Sequence, residues 1–161
     1  MNNGIFLLLG TNVGNRASNL DKAKQAINRF GKIISMSAVY QTEPWGKADQ
    51  APFYNQVVEI STVLDPIDLL DSILAIETEL GRVREEKWGP RLIDIDILFY
   101  GDFVLESKDL VIPHPGTPVR RFVLLPLCEI APRFIHPLFS KDILTLLKEC
   151  NDPLNVEKLK F

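Results

Sequence analysis

An α+β sandwich, with helices packed on a mostly antiparallel sheet, is the architecture this sequence predicts. Three observations carry that reading. Strand-like and helix-like apolar patterns follow one another in the order β-α-β-β-α-β, ahead of a hairpin strand and further helices. The 161 residues suit one compact domain, residues 1–161. A composition of 46% hydrophobic and 24% charged residues supports a real core and is too apolar for disorder.

The elements follow in order. "GIFLLL", residues 4–9, reads as a buried strand, and "GTNVGNR" is a glycine-punctuated turn. A helix is expected from near Ser18, with Leu20, Ala23, Ile27 and Phe30 at three- and four-residue steps and Gly31 as its stop. "KIISMSAVYQT", residues 32–42, alternates as one strand: Ile34, Met36, Ala38 and Tyr40 on one face, Ser35 and Ser37 on the other. The loop "TEPWGKADQAP" is long and polar, as functional loops often are. "FYNQVVEISTV" resumes a strand. In the second helix Asp65 is the N-cap, Pro66 the first helical residue, and Gly81 follows the last turn. Its apolar face is expected to be Ile67, Leu70, Ile73, Leu74 and Leu80, with Glu77 on that same face. After "RVREEKWGP" comes the strand "RLIDIDILFYG", residues 91–101. "YGD" is expected to fold that strand into a hairpin with "FVLE". Proline-rich "VIPHPGTPV" precedes a helix near 119–129, and "SKDILTLLKEC" supplies a last short one. This order is that of a split βαβ, ferredoxin-like sandwich with helices on one face of the sheet.

Asp94 and Asp96 interrupt the apolar strand. Side chains alternate along a strand, so both acids point the same way, with Cα atoms about 6.5–7 Å apart at ~3.3 Å rise per residue. Ile93, Ile95 and Ile97 point the opposite way, toward the core. Two carboxylates this close repel and titrate together unless a cation lies between them. Three readings compete: a solvated outer face, ion pairs with nearby arginines, or a magnesium site completed by substrate phosphate and water. Arg82, Arg84, Lys87 and Arg91 lie within ~12 residues before Asp94, although Glu85 and Glu86 dilute their charge. Cations beside paired acids are what phosphoryl transfer requires.

Other chemistries find little support. There is no Gly-Lys-Ser/Thr phosphate loop and no GxGxxG dinucleotide turn. His114 and His136 do not define a Ser-His-Asp set, and each reads equally as a loop histidine before a proline. A net charge of -3 and a pI near 5.4 argue against nucleic-acid binding, and the aromatic sheet motifs of RNA-binding domains are absent. "MNNGIFLLLGTNVG" has five consecutive large apolar residues and no basic start, so neither a signal peptide nor a membrane span is expected. Cys128 and Cys150 lack metal spacing and read as reduced thiols of a cytoplasmic protein.

"GRVREEKWGPRLIDIDIL", residues 81–98, resembles the signature of the 6-hydroxymethyl-7,8-dihydropterin pyrophosphokinases of folate biosynthesis. The likeness extends to "LGTNVGNR", "VYQTEPWG", "FYNQVV", "VIPHP" and "RRFVLLPLCEIAP", in the family's order. The resemblance implies a monomeric ferredoxin-like enzyme that transfers the terminal pyrophosphate of ATP to the hydroxymethyl group of a reduced pterin, releasing AMP. It implies two magnesium ions on Asp94 and Asp96, with Arg82 and Arg91 steadying the transferred group. Arg84 and Trp88 would lie on a loop that closes over ATP and excludes water. His114 and Arg120 match positions near the nucleotide phosphates, Ile97 one beside the adenine, and Glu77 a nucleotide-side position. Asn55 matches the pterin reader, whose amide both donates and accepts. Phe53 and Phe122 match the rings that sandwich the pterin, while Thr42, Pro44 and Trp45 belong to the loop that contacts it. Lys87, Leu74, Pro115 and Trp45 depart from the family pattern, and a lysine lacks arginine's two-pronged contact. The principal alternative is a non-catalytic pterin- or nucleotide-binding module on the same fold.

Overall fold

Residues 4–43, 50–81 and 92–161 are described by the computed structural model. In chain order the elements are β1 (Ile5–Thr11), α1 (Arg16–Ile27), β2 (Lys32–Met36), β3 (Tyr40–Thr42), β4 (Phe53–Ser61), α2 (Pro66–Glu79), β5 (Asp94–Tyr100), β6 (Leu105–Glu106), β7 (Val111–Ile112), a 3-10 turn (Thr117–Val119), α3 (Arg121–Ile130), α4 (Ile143–Glu149) and β8 (Val156–Lys158).

Strand β1 is buried along its whole length. It lies between β5 and β4, antiparallel to both, and the sheet runs β5-β1-β4-β3-β8 with β2 also paired to β4. Leaving aside the short β3, the elements β1-α1-β2-β4-α2-β5 form the ferredoxin-like order, with the strands lying β5-β1-β4-β2. One expectation needs correction: helices cover both faces of the sheet, not one. Ile5, Leu7 and Leu9 pack with α1 and α2, while Phe6 and Leu8 pack with α3 and α4. The unbroken apolar run of β1 already carries the reason, because a strand covered on one side alternates with polar residues.

Helix α1 starts earlier than its periodicity suggests, because Asn15 accepts from the Ser18 N–H at 3.0 Å and so acts as N-cap. Helix α2 begins as expected: Asp65 accepts from the Asp68 N–H at 2.9 Å, Pro66 occupies the first turn, and Gly81 follows at φ +92°. Its buried stripe is Pro66, Leu69, Ile73, Ile76 and Glu77, whereas Ile67 and Leu74 are exposed. The helix is apolar on more than one stripe, so packing against the sheet decided between them.

Residues 32–42 form two strands, not one. A bulge between Ile33 and Ser35 and a break at 37–39 leave Ile34 and Met36 about half exposed, while Tyr40 is buried. Ser37 bridges the break: its N–H donates to the Val57 carbonyl at 2.9 Å and its Oγ accepts from the Val57 N–H at 3.0 Å. The expected hairpin of β5 with "FVLE" does not form either. Gly101, at φ +58°, turns the chain, and Leu105–Glu106 pairs with Val111–Ile112 as a separate ribbon. Strand β8, which no pattern announced, joins the sheet beside β3.

His136 is 2% exposed, stacked on Phe139 and edge-on to Phe99, and its Nδ1 accepts from the Leu138 N–H at 3.1 Å. Burial holds its pKa below the ordinary histidine value. The folded protein resists a proton that the unfolded chain accepts near pH ~6.5. The stability from this group is complete above that pH and is lost as pH falls through the folded value. Denaturant midpoints measured from pH 8 to 5 should therefore decline below pH ~6.5, with a shallower decline in His136→Asn, which keeps an acceptor for Leu138.

Candidate active site

The register of three strands lays out the floor of a cleft on the α3 side of the sheet. Gly10 of β1 stands opposite Asp94 of β5 on one side and Asn55 of β4 on the other. Directly opposed residues share a face, so the acid, the glycine and the amide form one row. Asp96 follows in the next row, opposite Leu8. A Cβ on Gly10 would lie 3.0 Å from Asn55 Oδ1, so glycine leaves the amide its space.

Three elements raise the walls. Phe53 comes from β4, Thr42 and Glu43 from the end of β3, and Phe122 and Val123 from the first turn of α3. The turn from His114 to Arg120 closes the side near the acids. That turn hangs on β5 through the His114 N–H, which donates to the Leu98 carbonyl at 3.0 Å. Gly116 packs between the His114 ring and the Arg120 guanidinium, where an added Cβ would meet both at 3.2 Å. The Gly116 N–H donates to His114 Nδ1 at 3.0 Å, which leaves Nε2 to carry the proton of the neutral ring. Burial and then Arg120 push the His114 pKa below its ordinary value, against a smaller upward pull from Asp94.

Asn55 is 3% exposed, and its Nδ2 is a buried donor without a hydrogen-bond partner among the described residues. An unmet amide donor of this kind is costly unless a ligand completes it.

Eight sequence-predicted residues thus meet in one cleft: Thr42, Phe53, Asn55, Asp94, Asp96, His114, Arg120 and Phe122. Two others sit elsewhere. Ile97 is 4% exposed in the core beneath α1 and α2. Glu77, 3% exposed, accepts from the Ile95 N–H at 2.8 Å, on the α2 side of β5. Pro44, Trp45, Arg82, Arg84, Lys87, Trp88 and Arg91 lie outside the described residues. Sequence reasoning missed Leu8, Gly10, Glu43, Leu98 and Val123 as cleft residues. Gly10, a glycine in an apolar strand, was the available signal.

Metal-binding capacity rests on the donor set. Asp94 and Asp96 present hard carboxylate oxygens from one face of one strand. No cluster of three or more His, Cys, Asp or Glu is present among the described residues. Magnesium does not require one, since it commonly takes one or two carboxylates and keeps water and substrate phosphate.

Fold and cleft together define a class: a protein of ferredoxin-like fold whose cleft is lined by two carboxylates and two phenylalanines. Comparison with known proteins then identifies the family. A family model described as 7,8-dihydro-6-hydroxymethylpterin-pyrophosphokinase (HPPK) matches residues 6–132. A 2-amino-4-hydroxy-6-hydroxymethyldihydropteridine pyrophosphokinase of Aquifex aeolicus is 44% identical over 139 residues, 86% of this chain and 87% of its own. The Bacillus subtilis protein of that name is 43% identical over 132 residues, 81% of this chain and 79% of its own. The chain belongs to the 7,8-dihydro-6-hydroxymethylpterin-pyrophosphokinase family. The fold is shared with a solved HPPK-DHPS triple mutant of Plasmodium falciparum with pteroate, at TM-score 0.75 and 21% identity. That match covers 92% of this chain, which spans 43% of the larger one.

Glu77→Leu keeps the apolar bulk of α2 but leaves the Ile95 N–H buried without that acceptor. A loss of about 1–3 kcal/mol is expected in denaturant unfolding.

Proposed function

We propose that this chain, taken as one domain over residues 1–161, transfers the terminal pyrophosphate of ATP to the hydroxymethyl group of 6-hydroxymethyl-7,8-dihydropterin in folate biosynthesis. The oxygen of the pterin hydroxyl bonds to the β-phosphorus, the bond from that phosphorus to the α-phosphate oxygen breaks, and AMP leaves. The hydroxyl proton passes to solvent, since no side chain of the described cleft is an evident general base. The observation that carries the reading is the unmet Nδ2 of Asn55, set one strand away from Gly10 and two from Asp94. An orphan amide donor among aromatic residues suits the polar edge of a flat heterocycle, and the acids nearby suit the cation that accompanies a triphosphate.

In this reading Phe53 and Phe122 hold the pterin ring, Asn55 fixes its edge, and Thr42, Pro44 and Trp45 border it. Asp94 and Asp96 would hold magnesium, two ions by family resemblance. When bound, magnesium supplies charge neutralisation for the phosphates. His114, through Nε2–H, and Arg120 face the nucleotide phosphates. Arg82 and Arg91 steady the transferring group, and Arg84 and Trp88 cover ATP. Glu77 and Ile97 would serve the nucleotide from the α2 side of β5, with Glu77 also holding that strand from behind. Positioning and charge stabilisation together account for the reaction, which asks little covalent work of the protein. We take the enzyme to act as a cytoplasmic monomer. The monomer is what the family resemblance implies, and the two free cysteines support a reducing compartment.

The test mixes protein, ATP, magnesium and the reduced pterin. AMP release that requires the pterin is expected. Saturable pterin binding without AMP would favour the non-catalytic module instead. Asp96→Ala should lower turnover by at least ~100-fold with an unchanged circular dichroism spectrum, and a fully active variant removes the carboxylate assignment. Gly10→Ala should displace Asn55 and raise the KM for pterin by up to ~10-fold, with the KM for ATP unchanged.

A further inference from the structure

The N-terminus of α3 lacks its own cap. Arg120 stands at the N-cap position and makes no side-chain capping hydrogen bond. The position that ordinarily carries Ser, Thr, Asp or Asn is occupied here by an arginine that lines the cleft. The missing acceptor arrives from far along the chain. Asp152, 6% exposed, accepts from the Arg121 N–H at 2.9 Å through Oδ2. Its Oδ1 accepts from the Leu154 N–H at 3.0 Å, which fixes the segment that follows. That segment then reaches the opposite wall: the Asn155 carbonyl accepts from Thr42 Oγ1 at 3.3 Å, and Val156 pairs with Thr42 across β3 and β8. One short stretch therefore grips both the helix that carries Phe122 and the strand end that carries Thr42. It lies beyond residue 132, where the family match stops.

We propose that Asp152 is a positioning residue for the ring slot, capping α3 from a distance and thereby setting Phe122 against Thr42. The inference rests on the reading of that slot as the pterin site. The Arg120 carbonyl accepts from the Val123 and Leu124 N–H groups of α3 at 3.1 Å, while its guanidinium reaches back to pack beside Gly116 in the turn before the helix, away from the Asp152 cap. Loss of the Asp152 carboxylate therefore loosens the ring slot and spares the nucleotide side.

The experiment compares the chain with Asp152→Asn and Asp152→Ala. Kd values for the pterin are measured in the presence of magnesium and an unreactive ATP analogue, and Kd values for the analogue alone. Asp152→Ala should weaken pterin binding by about 10-fold, Asp152→Asn by less because one oxygen remains, and the analogue Kd should stay within about 2-fold. Pterin affinity unchanged in a folded Asp152→Ala, or both affinities falling together, overturns the proposal. If Asp152→Ala does not fold, the same comparison is made on Asp152→Asn. If the unaltered chain binds no pterin, the reading of the slot fails by itself. Hydrogen exchange at the Arg121 amide then decides the cap: faster exchange in the variants upholds it, and unchanged exchange overturns it.

Discussion

The alternation of β5 against the core is the constraint on which the cleft depends. Ile93, Ile95 and Ile97 are 1%, 4% and 4% exposed and belong to the core beneath α1 and α2. Burial of each contributes roughly 1.5–3 kcal/mol. A slip of one residue against β1 would turn the isoleucines into the cleft and drive Asp94 and Asp96 into apolar surroundings, where unpaired charge is costly. The acids are therefore aimed by hydrophobic side chains packed on the opposite face of the strand. Glu77 reinforces the arrangement from the core side by holding the Ile95 N–H, which lies between the two acids in sequence.

Further along β5 the phase changes. The irregularity opposite Phe6 and Leu7 puts both Leu98 and Phe99 into the core under α3 and α4. Within a few residues the strand passes from cleft floor to full burial. The His114 turn is suspended from that junction by its hydrogen bond to Leu98. Helix α3 is secured at its other end as well. Glu129 accepts from Tyr40 Oη at 2.6 Å and from the Ala38 N–H at 3.2 Å. Burial first, and the Glu129 carboxylate second, push the Tyr40 pKa far above its ordinary value, so the hydroxyl stays a donor. Tyr40 is the row partner of Asn55, so this contact also steadies the cleft floor.

Local patterns carried much of this into view. The two aspartates on one strand face, the Asp65-Pro66 start of α2 and the buried run of β1 each follow from side-chain period or capping chemistry, which act over a few residues. The same local rules failed where two local answers were available. Residues 32–42 alternate well as one strand, yet Ser37 breaks them because its hydroxyl takes a backbone partner on β4. Helix α2 offered more than one apolar stripe, and only the sheet beneath it chose Leu69 and Ile76 over Ile67 and Leu74.

Composition, period and motif determined by themselves that the chain is an α+β sandwich with paired acids facing away from the core, and that its motifs resemble one family. Tertiary structure alone decided that Gly10 clears space for Asn55, that Glu77 supports β5, and that Asp152 completes a helix whose own cap position faces the cleft. The physical reason is range. Propensity and periodicity concern neighbours within a turn or a strand, whereas a missing Cβ, a buried N–H or an uncapped helix is satisfied by whichever residue the fold delivers, however distant in the chain.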